Sequence, residues 1–171
     1  MKLKLLFASL IVVLLVSSSL CVQKDLRSII INGQTYPFDY NLFKIIEINA
    51  TNTKEIKSLI DEYPKICLEF NESSQDKKYF AVGGFNLVFR ITRLYILEGI
   101  KKNVTVCNEE PKIVFLGPNT GAKETSVSLV NNTIIVQGTT PDNFEMAVDR
   151  LSLIVLGVDK ERLEEEWALK K

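Results

Sequence analysis

The 171-residue chain contains no histidine. That removes the side chain most often used as a general base near neutral pH and the commonest metal ligand. Charge of either sign is not in excess: 21 basic residues balance 21 acidic ones. A net charge of zero gives none of the basic footprint that nucleic-acid binding requires. Cysteine is scarce, with three residues, and tryptophan occurs once. Glycine and proline number eight and five, too few for a low-complexity or fibrous chain. With 46% hydrophobic and 25% charged residues, the chain reads as one small globular domain.

The N-terminus is the most legible segment. Lys2 and Lys4 precede an unbroken run of apolar and small residues, Leu5 to Val16, then Ser17, Ser18, Ser19, Leu20 and Cys21. This is the order of a secretory leader: basic end, apolar centre, small-residue end. Cleavage after Cys21 or after Ser19 fits the pattern. An uncleaved anchor is the alternative, although a spanning helix takes about 20 apolar residues. Lipid attachment at Cys21 is disfavoured by the bulk of Leu20 before it. Either main reading places residues 22–171 outside the cytoplasm as a single domain, because the lysines stay inside.

Without Cys21, two cysteines remain, Cys67 and Cys107, a pairing number for an oxidising compartment. A bridge across their 40-residue separation would stabilise the fold by about 4 kcal/mol in the chain-entropy model. The alternative is a pair of ordinary buried thiols. Four sequons, at Asn49, Asn71, Asn103 and Asn131, fall where loops or element ends are expected, as glycan acceptors require.

Along the body, Asn32-Gly33 between two strand-like runs predicts a hairpin over Ser28 to Asp39. Asn41 to Ile48 alternates loosely and reads as a strand. Asn52 or Thr53 can cap a helix through Tyr63, with Ile56, Leu59 and Ile60 at helical spacing and Pro64 as the stop. Ile66 to Phe70 and Tyr79 to Val82 read as strands, and Gly83-Gly84 as a turn into a helix ending at Gly99. Lys112 to Leu116 reads as a strand, followed by a hairpin across Asn131-Asn132. Thr140-Pro141-Asp142 starts a helix, and Gly157 ends it. Asp159 opens a final helix carrying Leu163 and Trp167. The pattern predicts an α+β fold: an antiparallel or mixed sheet with helices packed on one face. Residues 65–99 and 112–157 look like two ββα units, and a C-terminal helix follows.

Candidates for chemistry are few. Arg90, Arg93 and Arg150 lie in otherwise apolar helices. Such arginines either form an anion or carboxylate site or pack their stems on the fold with the guanidinium satisfied locally. The loop GPNTGAKET, residues 117–125, resembles a phosphate cradle but breaks the P-loop spacing, which favours a plain connection. Asp61 with Glu62, Asp142 with Glu145, and Glu164 to Glu166 could supply the two carboxylates of a hydrolase. More simply, they are helix-end and solvated charges. No metal-ligand spacing, serine-nucleophile elbow or cofactor motif is present, so no cofactor or metal is expected. Trp167 can anchor a partner or dock its own helix.

The stretch "IVFLGPNTGAKETSVSLVNNTIIVQGTTPDNFEMAVDRLSLIVLG", residues 113–157, resembles a segment of secreted archaeal proteins, some related to surface-layer proteins. The resemblance implies an envelope location, a non-enzymatic role and no functional residue. The expectation is an exported, envelope-associated structural or binding module with protein partners at the surface, and an N-terminal membrane tether if the leader is retained. An extracytoplasmic carboxylate hydrolase and a small-ligand binder using the helix arginines are the alternatives.

Overall fold

A computed structural model describes residues 24–71 and 74–170. The expected leader or anchor lies outside the described residues. The fold is α+β, as the pattern predicts.

The chain begins with β1 (Ser28–Ile31) and β2 (Gln34–Pro37), an antiparallel hairpin with Ile31 opposite Gln34. Asn32 and Gly33 both take positive φ, 50° and 74°. A two-residue loop that follows the strand twist demands this, which is why Asn-Gly marks it. The next segment differs from its expected strand. Asn41 Oδ1 accepts from Phe43 N at 3.0 Å and starts a short helix, α1 (Leu42–Ile45). Leu42 and Ile45, three apart, are fully buried. An N-cap outweighed the loose alternation.

Strand β3 (Asn49–Ala50) and helix α2 (Thr53–Glu62) follow, the latter burying Ile56, Leu59 and Ile60. Then come β4 (Lys65–Glu69) and the long helix α3 (Lys77–Leu97). Here the expected strand at Tyr79–Val82 and the Gly83-Gly84 turn are overturned. Both glycines lie inside α3, at points of close approach. A Cβ on Gly83 would stand 3.0 Å from the Phe144 ring and 3.1 Å from Val148; one on Gly84 would face Phe115 at 3.6 Å. The glycines serve packing, not a turn. Residues 65–99 therefore form a strand and a helix, not the expected ββα unit.

The remaining strands are β5 (Asn103–Val106), β6 (Lys112–Leu116), β7 (Ser126–Val130) and β8 (Thr133–Gln137). Helices α4 (Pro141–Val155) and α5 (Lys160–Leu169) close the chain. Residues 112–157 thus hold three strands before their helix, so the two segments do not share an element order. Thr140 Oγ1 accepts from Asn143 N, and Asp159 Oδ1 from Arg162 N, the two caps read from the sequence.

The large sheet has the order β3-β7-β8-β6-β4-β5 and is mixed. Strands β5, β4, β6 and β8 run parallel, β7 is antiparallel to β8, and β3 is parallel to β7. Alternation along β6 and β8 puts Ile113, Phe115, Ile134 and Val136 into the core and leaves Lys112, Val114, Ile135 and Gln137 half-buried on the other face. Phe80, Phe115 and Phe144 meet where α3 and α4 cross the sheet, with centroids 5.1 to 6.1 Å apart. Beyond α3 and α4 lies the β1-β2 hairpin. Helix α5 docks on α1, with Trp167 edge-on to Phe43 at 6.4 Å and Leu163 fully buried. Trp167 is thus spent on its own helix.

Cys67 and Cys107 are bridged, with Cα atoms 5.0 Å apart. The bridge ties edge strand β5 to β4 and fits an extracytoplasmic location.

Candidate functional site

The three arginines singled out by sequence separate into two environments. Arg90 is 6% exposed. Its Nη1 donates to Asp149 Oδ1 at 2.5 Å and to Ser152 Oγ at 3.3 Å; Nη2 donates to the Pro37 carbonyl at 3.1 Å. The guanidinium also sits 4.2 Å from the centre of the Phe38 ring. Arg93, one turn on, donates to the Thr35 carbonyl at 3.1 Å and to Gln34 Oε1 at 2.5 Å, beside Tyr36. Together they fasten the N-terminal hairpin to α3. Burial pushes the Asp149 carboxyl up to about 6, although Arg90 pulls the other way.

Arg150 lies elsewhere. Its Nε donates to the Ile48 carbonyl at 3.3 Å, and its two Nη groups have no partner among the described residues. It lines a groove of about 580 Å³ between the end of α1, the start of α2, α4 and the turn into α5. Ile46, Ile154 and Val158 supply apolar wall; Lys54, Lys57 and Lys160 stand with Arg150 around it. Lys57 is held by Asp61 at 3.1 Å, while Lys54, Lys160 and Arg150 make no ion pair among the described residues. Glu47 and Asp159 are the acids of the lining, and Asp159 is occupied in capping α5. Partial burial lowers the pKa of Arg150 from its ordinary value.

The candidate acids are dispersed. Asp61 accepts from Lys57 and from the Tyr95 hydroxyl. Burial, with that hydrogen bond, raises the Tyr95 pKa. Glu62 is exposed at the end of α2. Asp142 occupies the first turn of α4, and Glu145 accepts from Tyr40 at 3.1 Å. Glu164 pairs with Lys24. Among the described residues, no three acids or cysteines cluster in a way that could hold a metal.

Two polar devices escaped the sequence reading. Asp76, fully buried, accepts from Asn119 N at 2.8 Å and from Asn119 Nδ2 at 2.7 Å. It ties down the 117–125 loop. A Cβ on Gly117 would fall 2.5 Å from Asp76 Oδ2, so the loop needs glycine there. A phosphate in that loop would face a carboxylate, which agrees with a plain connection. Lys102 donates to the carbonyls of Ile60, Asp61 and Tyr63 at 2.5, 3.0 and 2.6 Å, closing the C-terminus of α2. Burial lowers its pKa.

The outward face of α3 also escaped it. Val82, Phe85, Phe89 and Ile96 are 46%, 70%, 48% and 66% exposed. Their spacing of three, four and seven residues aligns them on one side of the helix. Phe85 and Phe89 stack at 6.4 Å. The available signal was the 21-residue span Lys77–Leu97, which contains no acid. The helix is long and apolar enough to cross a membrane, but its other side, including Phe80, Leu87, Ile91 and Leu94, is buried in the protein.

All four sequon asparagines are exposed. Asn49 lies on edge strand β3 and Asn103 on edge strand β5; Asn71 follows β4, and Asn131 sits at the tip of the β7-β8 hairpin. No family of known proteins matches the chain, and neither does any curated protein or solved structure.

Proposed function

We propose that the protein is an exported, envelope-associated binding module that engages a partner protein at the cell surface through the outward face of α3. The observation that carries this reading is the exposed row Val82, Phe85, Phe89 and Ile96. Leaving stacked phenylalanines in water is unfavourable, and contiguous exposed apolar surface marks interaction sites. The partner presents an apolar depression that receives Phe85 and Phe89, since aromatic anchors dominate such contacts.

Three further features support the surface setting. The N-terminal sequence has the order of a secretory leader, one disulfide staples the sheet, and four exposed sequons are available for glycans. The resemblance of residues 113–157 to secreted archaeal proteins points the same way. A non-catalytic role is supported by the use of Asp61, Glu145 and Asp149 in contacts within the fold.

The test uses residues 22–171 and washed envelopes from the source organism. The wild type is expected to bind saturably and sediment with them. Phe85→Ser/Phe89→Ser is expected to lose at least about tenfold in affinity, equivalent to about 1.4 kcal/mol. Both residues are exposed, so the variant should fold. Unchanged retention of the variant, or no retention of the wild type, overturns the reading.

A further inference from the structure

The groove at Arg150 lies apart from the α3 face and is built differently. Apolar wall from Ile46, Ile154 and Val158 meets Lys54, Lys160 and Arg150, which make no ion pair among the described residues. The contrast with Arg90 is chemical. Arg90 has a carboxylate, a hydroxyl and a carbonyl as acceptors. Among the described residues Arg150 has one acceptor, the Ile48 carbonyl on Nε, and this bond orients the guanidinium with no acceptor on either Nη.

We propose that this groove binds a small amphiphilic oxyanion, a carboxylate or phosphate ester carrying a short apolar chain. The planar Nη pair of Arg150 matches the two oxygens of such a head group. Lys54 and Lys160, both exposed and without an ion pair among the described residues, add positive charge at the rim. The apolar chain lies against Ile154 and Val158. A volume of about 580 Å³ is of the size that small-molecule sites occupy. Glu47 at the rim repels anions, so the site favours a head group of low charge with an apolar body over a polyanion.

Supporting detail comes from the backbone. Lys54 is in the first turn of α2 and Lys160 in the first turn of α5. Helix starts carry partial positive charge, which reinforces the cations already there. The Arg150 pKa, lowered by burial, moves back up when an anion neutralises the guanidinium.

The test is a titration of ¹⁵N-labelled protein, residues 22–171, followed by amide chemical shifts. The probes are hexanoate and hexyl phosphate, with hexanol and acetate as controls. Saturable shifts confined to the groove segments, residues 46–47, 53–57, 150–154 and 157–160, are expected with the hexyl anions. Whichever of the two binds more tightly identifies the head group as carboxylate or phosphate. Affinity should fall by about tenfold or more for hexanol, which has no charge, and for Arg150→Met. Lys54→Gln/Lys160→Gln, at two exposed positions, should weaken both anions severalfold and reduce the salt dependence of binding. Absence of saturable shifts overturns the proposal, as does equal binding of hexanol or unchanged affinity in either variant. None of these readouts depends on the α3 face.

Discussion

Arg90 and Arg150 occupy successive long helices of one apolar layer, yet one is closed in by acceptors and the other is not. Arg90 is enclosed by Asp149, Ser152, Pro37 and the Phe38 ring. Among the described residues Arg150 makes a single bond, to a backbone carbonyl, and it opens onto a groove. Other residues divide in the same way. Asp76 and Lys102 are satisfied by loop and helix-end groups, whereas Phe85 and Phe89 stack on each other in solvent, with the Arg93 guanidinium 5.9 Å from the Phe89 ring. Side chains whose interactions are completed inside the fold hold it together. Side chains with unmet capacity at the surface are the candidates for binding. Residue type alone does not tell them apart; the acceptors around each side chain do.

Breaking the closed side of this comparison should have the largest effect. Asp149→Ala leaves the Arg90 guanidinium buried without its carboxylate and should cost about 3–5 kcal/mol at pH 7. Urea unfolding of the variant beside the wild type measures it. Loss of less than about 1 kcal/mol would place Arg90 among the dispensable cations, within the range of exposed ion pairs.

A smaller effect follows from the protonation of the same pair. The folded-state pKa of Asp149 is raised from 3.8 to about 6, chiefly by burial, with Asp39 and Glu145 adding repulsion and Arg90 opposing. The folded protein therefore holds a proton that the unfolded chain releases. The stabilisation from this group is full below about pH 4 and is lost as pH rises through about 6. Asp149→Asn should flatten that part of the stability curve between pH 4 and 6. An unchanged slope in the variant would show that another group carries the dependence.

How much of this could be read from the chain varies with the range of the interaction involved. Local signals served well. Asn32-Gly33 sets the first hairpin, Thr140 and Asp159 cap the last two helices, and Cys67 pairs with Cys107. Each is decided by neighbouring residues or, for the cysteines, by a count of two. Non-local contacts were not legible. Gly83-Gly84 reads as a turn until Phe144 and Phe115 are seen against it. Nothing next to Asp76 in the chain marks it out until Asn119 arrives from 43 residues away. At the candidate groove, Arg150 was visible as a possible anion ligand. Lys54 and Lys160 were not, because α2 and α5 meet α4 only in the fold.

The most direct test of the closed-against-open distinction is equilibrium unfolding of Arg90→Met and Arg150→Met, measured together at pH 7. Arg90→Met strands Asp149 in the core and should lose about 3 kcal/mol or more. Arg150→Met forfeits one bond to a carbonyl and should lose about 1 kcal/mol or less. Equal losses, or a larger loss for Arg150→Met, would contradict the account, because Arg150 would then be holding the fold rather than standing open to a ligand.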